Sequence, residues 1–280
     1  MKIVQIRLSA GTRLRFTVAV ALSGFCFQVA AADLKPSVPE RAAKVRTELN
    51  STDIAVRQAA IKSLVHSDLS EGLNAEIQRS LKDEDGMVRS TAATAVGNLG
   101  SNAVSAVEQL VIQVKADAMK EARETAARAL GRIGKAVPDA KGKIVPALEL
   151  VAQKDSDAVT RVVALGALSM LEVAPKEQIG LIRKYLHHDE TLVRMKASHA
   201  LGMLGVLAKE AGPEIVEVLK RETDDHRRGY VARALGNTGD PASLPALEEA
   251  LKRETDAGAQ GEMRGAIKKL TALLPVPAKP

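Results

Sequence analysis

The chain has 280 residues, of which 46% are hydrophobic, 26% charged and only 2% aromatic. That balance excludes a disordered charged tail. A core with no Trp, two Tyr and three Phe must be built from Ala, Leu, Val and Ile, which favours close-packed helices over a β-sandwich.

The net charge of +6 comes largely from residues 1–32, where Lys2, Arg7, Arg13 and Arg15 face no acid. The remainder has 36 Lys and Arg against 34 Asp and Glu, so a basic isoelectric point is no argument for nucleic acid. After these four charges, Phe16 to Ala31 is an uncharged, mostly apolar stretch ending in Val29-Ala30-Ala31-Ala32. A basic start, an apolar middle and small residues at the end are the parts of a secretory signal. Cleavage is expected after Ala31 or Ala32, with export to the periplasm or the extracellular space. This uncharged stretch of sixteen residues is too short for a spanning helix, which needs about 20. Phe25 precedes Cys26 where a bacterial lipoprotein wants a small residue, so lipidation is not expected. The remaining chain has no Cys and must be held by packing alone.

From residue 33 onward the dominant signal is a repeat. Asp53-Ile-Ala-Val56-Arg57, Asp85-Gly-Met-Val88-Arg89, Asp157-Ala-Val159-Thr160-Arg161 and Glu190-Thr-Leu-Val193-Arg194 each place an acid four residues before an Arg. The Arg column is extended to Arg123, Arg228 and Arg264, at spacings of 32, 34, 38, 33, 34 and 36. Three, six and seven residues after each Arg, small and aliphatic residues recur (Ala126, Ala129 and Leu130; Ala197, Ala200 and Leu201), which marks one face of a helix. The acid is a natural N-cap, and Gly100, Gly134, Gly205 and Gly239 suit helix ends. A second amphipathic run precedes each of these helices, for example Leu73, Ile77 and Leu81, or Ile144, Leu148 and Val151. Each unit therefore reads as helix, turn, helix, and no such pair can bury its apolar face without stacking on the next. The longest interval, residues 134–143, is read as an extended loop between pairs three and four, and residues 275–280 as an extended tail.

The turn acid, the Val-Arg step, the Ala column and the Leu-Gly-x-x-Gly endings (Leu130-Gly131-Arg132-Ile133-Gly134 and Leu201-Gly202-Met203-Leu204-Gly205) resemble the HEAT repeat family, in particular the short HEAT-like repeats of the phycobilisome lyase type. The resemblance implies an all-α, right-handed α-α superhelix of about seven helix pairs over residues 33–274. It also implies first helices on the convex face, second helices on the concave face, and an inter-repeat ladder made by Arg57, Arg89, Arg123, Arg161, Arg194, Arg228 and Arg264.

No chemistry of catalysis stands out. The HEAT-like di-iron enzyme deoxyhypusine hydroxylase carries His-Glu pairs on its second helices, and the matching positions here, such as Glu124-Thr125 and Met195-Lys196, are not His-Glu. His187-His188-Asp189-Glu190 falls at a turn and reads as an acid capping the next helix rather than a metal site. Gly131-x-x-Gly134-Lys135 lacks the spacing and the Ser or Thr of a phosphate loop and reads as a helix end. No catalytic residue, cofactor or metal is expected.

Positions two, five and nine after each Arg point away from the packed face. By that count they hold six Lys or Arg, two His and no acid. A one-signed stripe draws an oppositely charged partner. The expectation is a scaffold that binds an acidic protein segment or an anionic polymer along Lys62, Arg128, Arg132, Lys196, His199, Tyr230, Arg233 and Lys269, with Glu121 and Glu124 close enough to neutralise Arg128. The alternative is a lyase-type or enzyme-associated subunit that binds a pigment or small ligand.

Overall fold

The computed structural model describes residues 37–274; the expected signal segment, Cys26 and the tail 275–280 lie outside the described residues. Fourteen α-helices follow one another as seven pairs: α1 (Val38–Leu49) with α2 (Ile54–Leu64), α3 (Asn74–Ser80) with α4 (Gly86–Asn98), α5 (Val107–Ala116) with α6 (Lys120–Ala136), α7 (Lys141–Lys154) with α8 (Ala158–Met170), α9 (Pro175–Tyr185) with α10 (Thr191–Leu204), α11 (Gly212–Arg221) with α12 (Asp225–Thr238), and α13 (Leu244–Arg253) with α14 (Ala257–Thr271). Among the described residues there is no strand. The fold is an all-α repeat solenoid whose pairs pack in chain order.

Helix starts follow from cap chemistry. The Asp53 carboxylate accepts from the Ala55 N–H, Asp85 from Val88 and Asp157 from Thr160, each satisfying an orphan donor of the first turn. Asp224 and Asp256 do the same for α12 and α14. Glu190, expected to cap α10, makes no side-chain cap bond; its longer side chain suits the N-cap geometry less well than Asp.

The core is one continuous strip of aliphatic residues, with Ile61, Leu64, Ile77, Leu110, Leu130, Ile144, Leu148 and Leu168 fully enclosed. Fully burying one such side chain stabilises the fold by about 2 kcal/mol. Consecutive second helices touch through small residues. A Cβ on Gly97 would lie 2.9 Å from the Ala129 Cα, one on Gly202 2.8 Å from the Ala234 Cα, and one on Gly236 2.6 Å from the Ala266 Cα. Only glycine permits that approach. Second helices pack on one another along the whole stack, more closely than first helices do, and theirs is the layer of the expected concave face.

Two expectations about the middle of the chain are corrected. Gly134 does not end a helix: α6 runs on to Ala136, and a Cβ at Gly134 would strike Leu171 Cδ2 at 2.8 Å, so this glycine serves packing. Nor are residues 134–143 an extended loop. Pro138–Ala140 form a short 3-10 turn that leads directly into α7. The extra residues of the long interval are absorbed by α6 and α7, which have 17 and 14 residues. Pro tolerates a first helical turn, where its missing N–H would be unbonded anyway.

Candidate functional site

The second helices carry two sets of polar side chains. The first begins with the Arg column at the start of these helices. Arg57 donates through Nε and Nη2 to Asp83 at 2.9 and 3.0 Å, Arg89 to Asp117 at 2.7 Å twice, and Arg123 to Asp155 at 2.7 and 3.0 Å. Arg228 does the same with Glu254 at 2.6 and 2.9 Å. Each is a two-pronged guanidinium–carboxylate bond from one pair to the next. The remaining prong of each Arg turns back to its own loop, as Arg89 Nη1 does to the carbonyls of Asp83 and Glu84.

The acceptors form a column of their own, two residues before each cap: Ser51, Asp83, Asp117, Asp155, His188, Glu222 and Glu254. Their side chains also accept the N–H of the cap residue, from Asp53 to Ser51 at 3.1 Å through Asp256 to Glu254 at 3.0 Å. One group thus shapes the turn and takes the previous pair's Arg. Burial alone would push the Asp117 carboxyl up, but the bonds from Arg89 and the Met119 N–H hold it below its ordinary value. Glu254, held by Arg228, titrates at about 2.

The column breaks at His188. Its Nδ1 accepts the Glu190 N–H at 3.1 Å, but it brings no carboxylate. Arg161 instead donates to the Tyr185 hydroxyl at 3.0 Å, with its guanidinium 5.9 Å from that ring's centroid. Arg194 is buried and donates to its own loop and to Thr191 Oγ1 at 2.8 Å. Glu222, in register to receive it, keeps a buried Oε2 with no hydrogen bond. Arg264 is no ladder member. Asp256 caps α14, so the residue four later is Gln260, whose amide donates to the Glu254 carbonyl at 2.7 Å. Arg264 lies one helical turn further on and donates to Gln260 Oε1 at 2.9 Å.

The second set faces the groove. With α14 re-registered, its groove positions are Glu262, Gly265 and Lys269, so the face is not free of acids. Arg233 bonds Glu262 at 3.1 Å and lies 4.6 Å from the Tyr230 ring centroid, and His226 meets that ring edge-on at 4.9 Å. Arg128 pairs with the buried Glu124 at 3.5 Å. Arg132 donates to Asn98 Oδ1 at 2.5 Å and Lys269 to Asn237 Oδ1 at 2.8 Å. Lys62 is exposed at the far end of the face and is not brought to the others.

What does converge is Arg128 of α6 with Lys196 and His199 of α10, across α8. On α8 the groove positions are Val163, Gly166 and Met170. Gly166 adds no side chain there, and a cavity of about 240 Å³ has Val162, Val163, Gly166, Ala167, Met170, Ala200 and Met203 as its floor and walls, with the three basic residues completing its lining. Burial, then the charge of Arg128, pushes the Lys196 ammonium below its ordinary value, with Glu124 opposing. Burial, then Arg233, Lys196 and Arg128, lowers His199 below its ordinary value. Burial raises Glu124 against the pull of Arg128. Sequence reasoning singled out the basic rim but not the floor. Its signal was Gly166, a Gly in the middle of the stack at a position that is basic on α2, α6, α10 and α12.

Among the described residues no three His, Cys, Asp or Glu side chains converge as metal ligands, and no helix is long and apolar enough to cross a membrane.

Residues 42–131 and 145–230 match the family model for HEAT repeats, and residues 227–253 match that for the PBS lyase HEAT-like repeat. No curated protein matches the chain. Among solved structures it is similar to three engineered proteins. One is 21% identical, over 83% of this chain and 71% of that one, with a TM-score of 0.43. The second is 21% identical over 83% and 97%, with a TM-score of 0.38, and the third 20% identical over 82% and 98%, with a TM-score of 0.42.

Proposed function

The chain belongs to the HEAT-repeat family, and we propose that it works as an exported, non-catalytic scaffold that holds an acidic protein segment along its second-helix face. The observation that carries this reading is the gathering of Arg128, Lys196 and His199 from two second helices around one recess, where burial, then repulsion from neighbouring cations, disfavours their charged forms. An incoming carboxylate relieves that repulsion. Export rests on the basic, apolar and Ala-rich parts of residues 1–32.

The test is a pull-down from the exported fraction with wild type and an Arg132→Glu, Arg233→Glu double variant of unchanged helical content. Loss of the partner, with binding that weakens in salt, supports the reading. A partner held equally by both, with the same salt dependence, refutes the groove. N-terminal sequencing that returns Met1 refutes export with processing.

A second reading, a lyase-type or enzyme-associated subunit that binds a pigment or small ligand, has the PBS lyase-like match over residues 227–253 in its favour. Visible absorbance that copurifies with the protein would select it. The recess at α8 is small beside the roughly 300–1,000 Å³ of small-molecule pockets.

A further inference from the structure

The recess over α8 has a charge count and a shape that narrow its occupant. Around it, Glu124 cancels Arg128 at 3.5 Å and Glu262 cancels Arg233 at 3.1 Å. His199 lies beside Arg233, Lys196 and Arg128, which disfavour a further positive charge on its ring. Lys196 makes no ion pair among the described residues, so one cation is left over. Beneath it lies a floor of Val163, Gly166 and Met170 with Met203 at the edge, and no polar side chain on the floor itself. Met203 is 48% exposed, an adaptable thioether side chain that water reaches from one side.

We propose that this recess is the specificity pocket of the scaffold, and that it takes one carboxylate and one neighbouring aliphatic side chain of a partner protein. The carboxylate meets Lys196, and the aliphatic group fills the volume that Gly166 leaves empty. This deepens the reading of the groove as a protein-binding face and rests on it. An extended anionic polymer is a poorer match. Two other cations of the face that lack an ion pair, Arg132 and Lys269, are each tied to an Asn side chain and lie outside the recess lining. An apolar floor also gives such a polymer nothing to bury.

The experiment uses the purified chain and a blocked, fluorescein-labelled peptide with a single Glu-Leu step in a Gly-Ser frame, read by anisotropy. Two control peptides carry Gln-Leu and Glu-Ser. The Glu-Leu probe should bind, and each control should bind about tenfold more weakly, the loss expected for one charged hydrogen bond or one buried side chain. Lys196→Gln should weaken the Glu-Leu probe about tenfold, and Gly166→Met, which fills the recess, should abolish binding. Lys115→Gln, on the first helix α5, should change nothing.

A Cβ at Gly166 already lies 3.3 Å from the Ala200 Cβ, so Gly166→Met is judged only if it keeps its helical content. Lys196→Gln keeps most of the aliphatic stem of this half-buried side chain and decides the matter alone otherwise. No binding of the Glu-Leu probe overturns the proposal, and so does equal binding of Glu-Ser. Polyphosphate that binds more tightly than the probe and is indifferent to Lys196→Gln overturns it in favour of a bare charge stripe. If the probe fails while the pulled-down partner is still lost in the Arg132, Arg233 double variant, the pocket falls and the groove stands. If that variant keeps its partner, the groove itself falls.

Discussion

The joints between the first four pairs and the joint between pairs four and five are built from the same column of residues and differ in one of them. At Asp83, Asp117 and Asp155 a single carboxylate both folds the turn and receives the preceding Arg. At His188 the turn is still folded, because an imidazole nitrogen accepts the Glu190 N–H as a carboxylate would. The charged rung is absent, and Arg161 settles on the Tyr185 hydroxyl. This joint also carries Glu172 and Ala174 at φ values of 60° and 42°, a left-handed conformation that strains residues with a Cβ. Turn-making and rung-making are therefore separable jobs, and the middle of the stack keeps the first without the second.

The largest expected effect comes from breaking an intact rung. Arg89→Leu leaves the Asp117 carboxylate buried and unpaired and should cost about 3 kcal/mol in urea unfolding. Arg161→Leu loses a neutral partner and should cost about 1 kcal/mol. Equal losses would erase the distinction between the two joints.

Acid sharpens it next. Glu254 has its folded-state value depressed to about 2 from 4.5 by Arg228. A depressed carboxyl contributes stability that is complete above its unfolded value and is lost as pH falls from 4.5 toward 2. The urea midpoint of wild type should drop more steeply across that window than that of Glu254→Gln. Parallel curves would mean that the rung carries no weight.

Restoring the missing rung is a smaller effect of opposite sign. His188→Asp offers Arg161 a carboxylate while keeping an acceptor for the Glu190 N–H, and should stabilise the chain by about 1 kcal/mol. A destabilised variant would show that the Tyr185 contact is the better partner. Smallest of all, Arg264→Leu should stay within about 0.5 kcal/mol of wild type, because Arg264 is exposed and bonds only its neighbour one turn back.

Arg264 also shows how far the sequence could be read. Seven helix pairs, the caps and the packed Ala face were legible because each recurs at one period and one helical phase. At the last pair, a spacing of 36 to Arg264 and one of 32 to Gln260 put a long polar side chain on the same helix face, one turn apart, so period alone cannot choose between them. Asp256 could have chosen, since a capping acid stands four residues before the column. The rung acceptors were harder to see because their column changes identity from Ser51 through Asp, His and Glu. The groove acid Glu262 was missed through the same phase slip at α14, whereas Glu124 was read as a neighbour able to neutralise Arg128 and does pair with it. The recess at Gly166 depends on which side chains lean across from α6 and α10, and that is a property of packing between pairs, not of any one helix.

The most direct measurement is a pair of double-mutant cycles in urea unfolding, one on Arg89 with Asp117 and one on Arg161 with His188, using Leu for Arg and Asn for the acceptor. A coupling of about 2 kcal/mol in the first cycle and none in the second is the result expected if carboxylate rungs hold the joints between the first four pairs and the joint between pairs four and five lacks one. Equal couplings in the two cycles would contradict it.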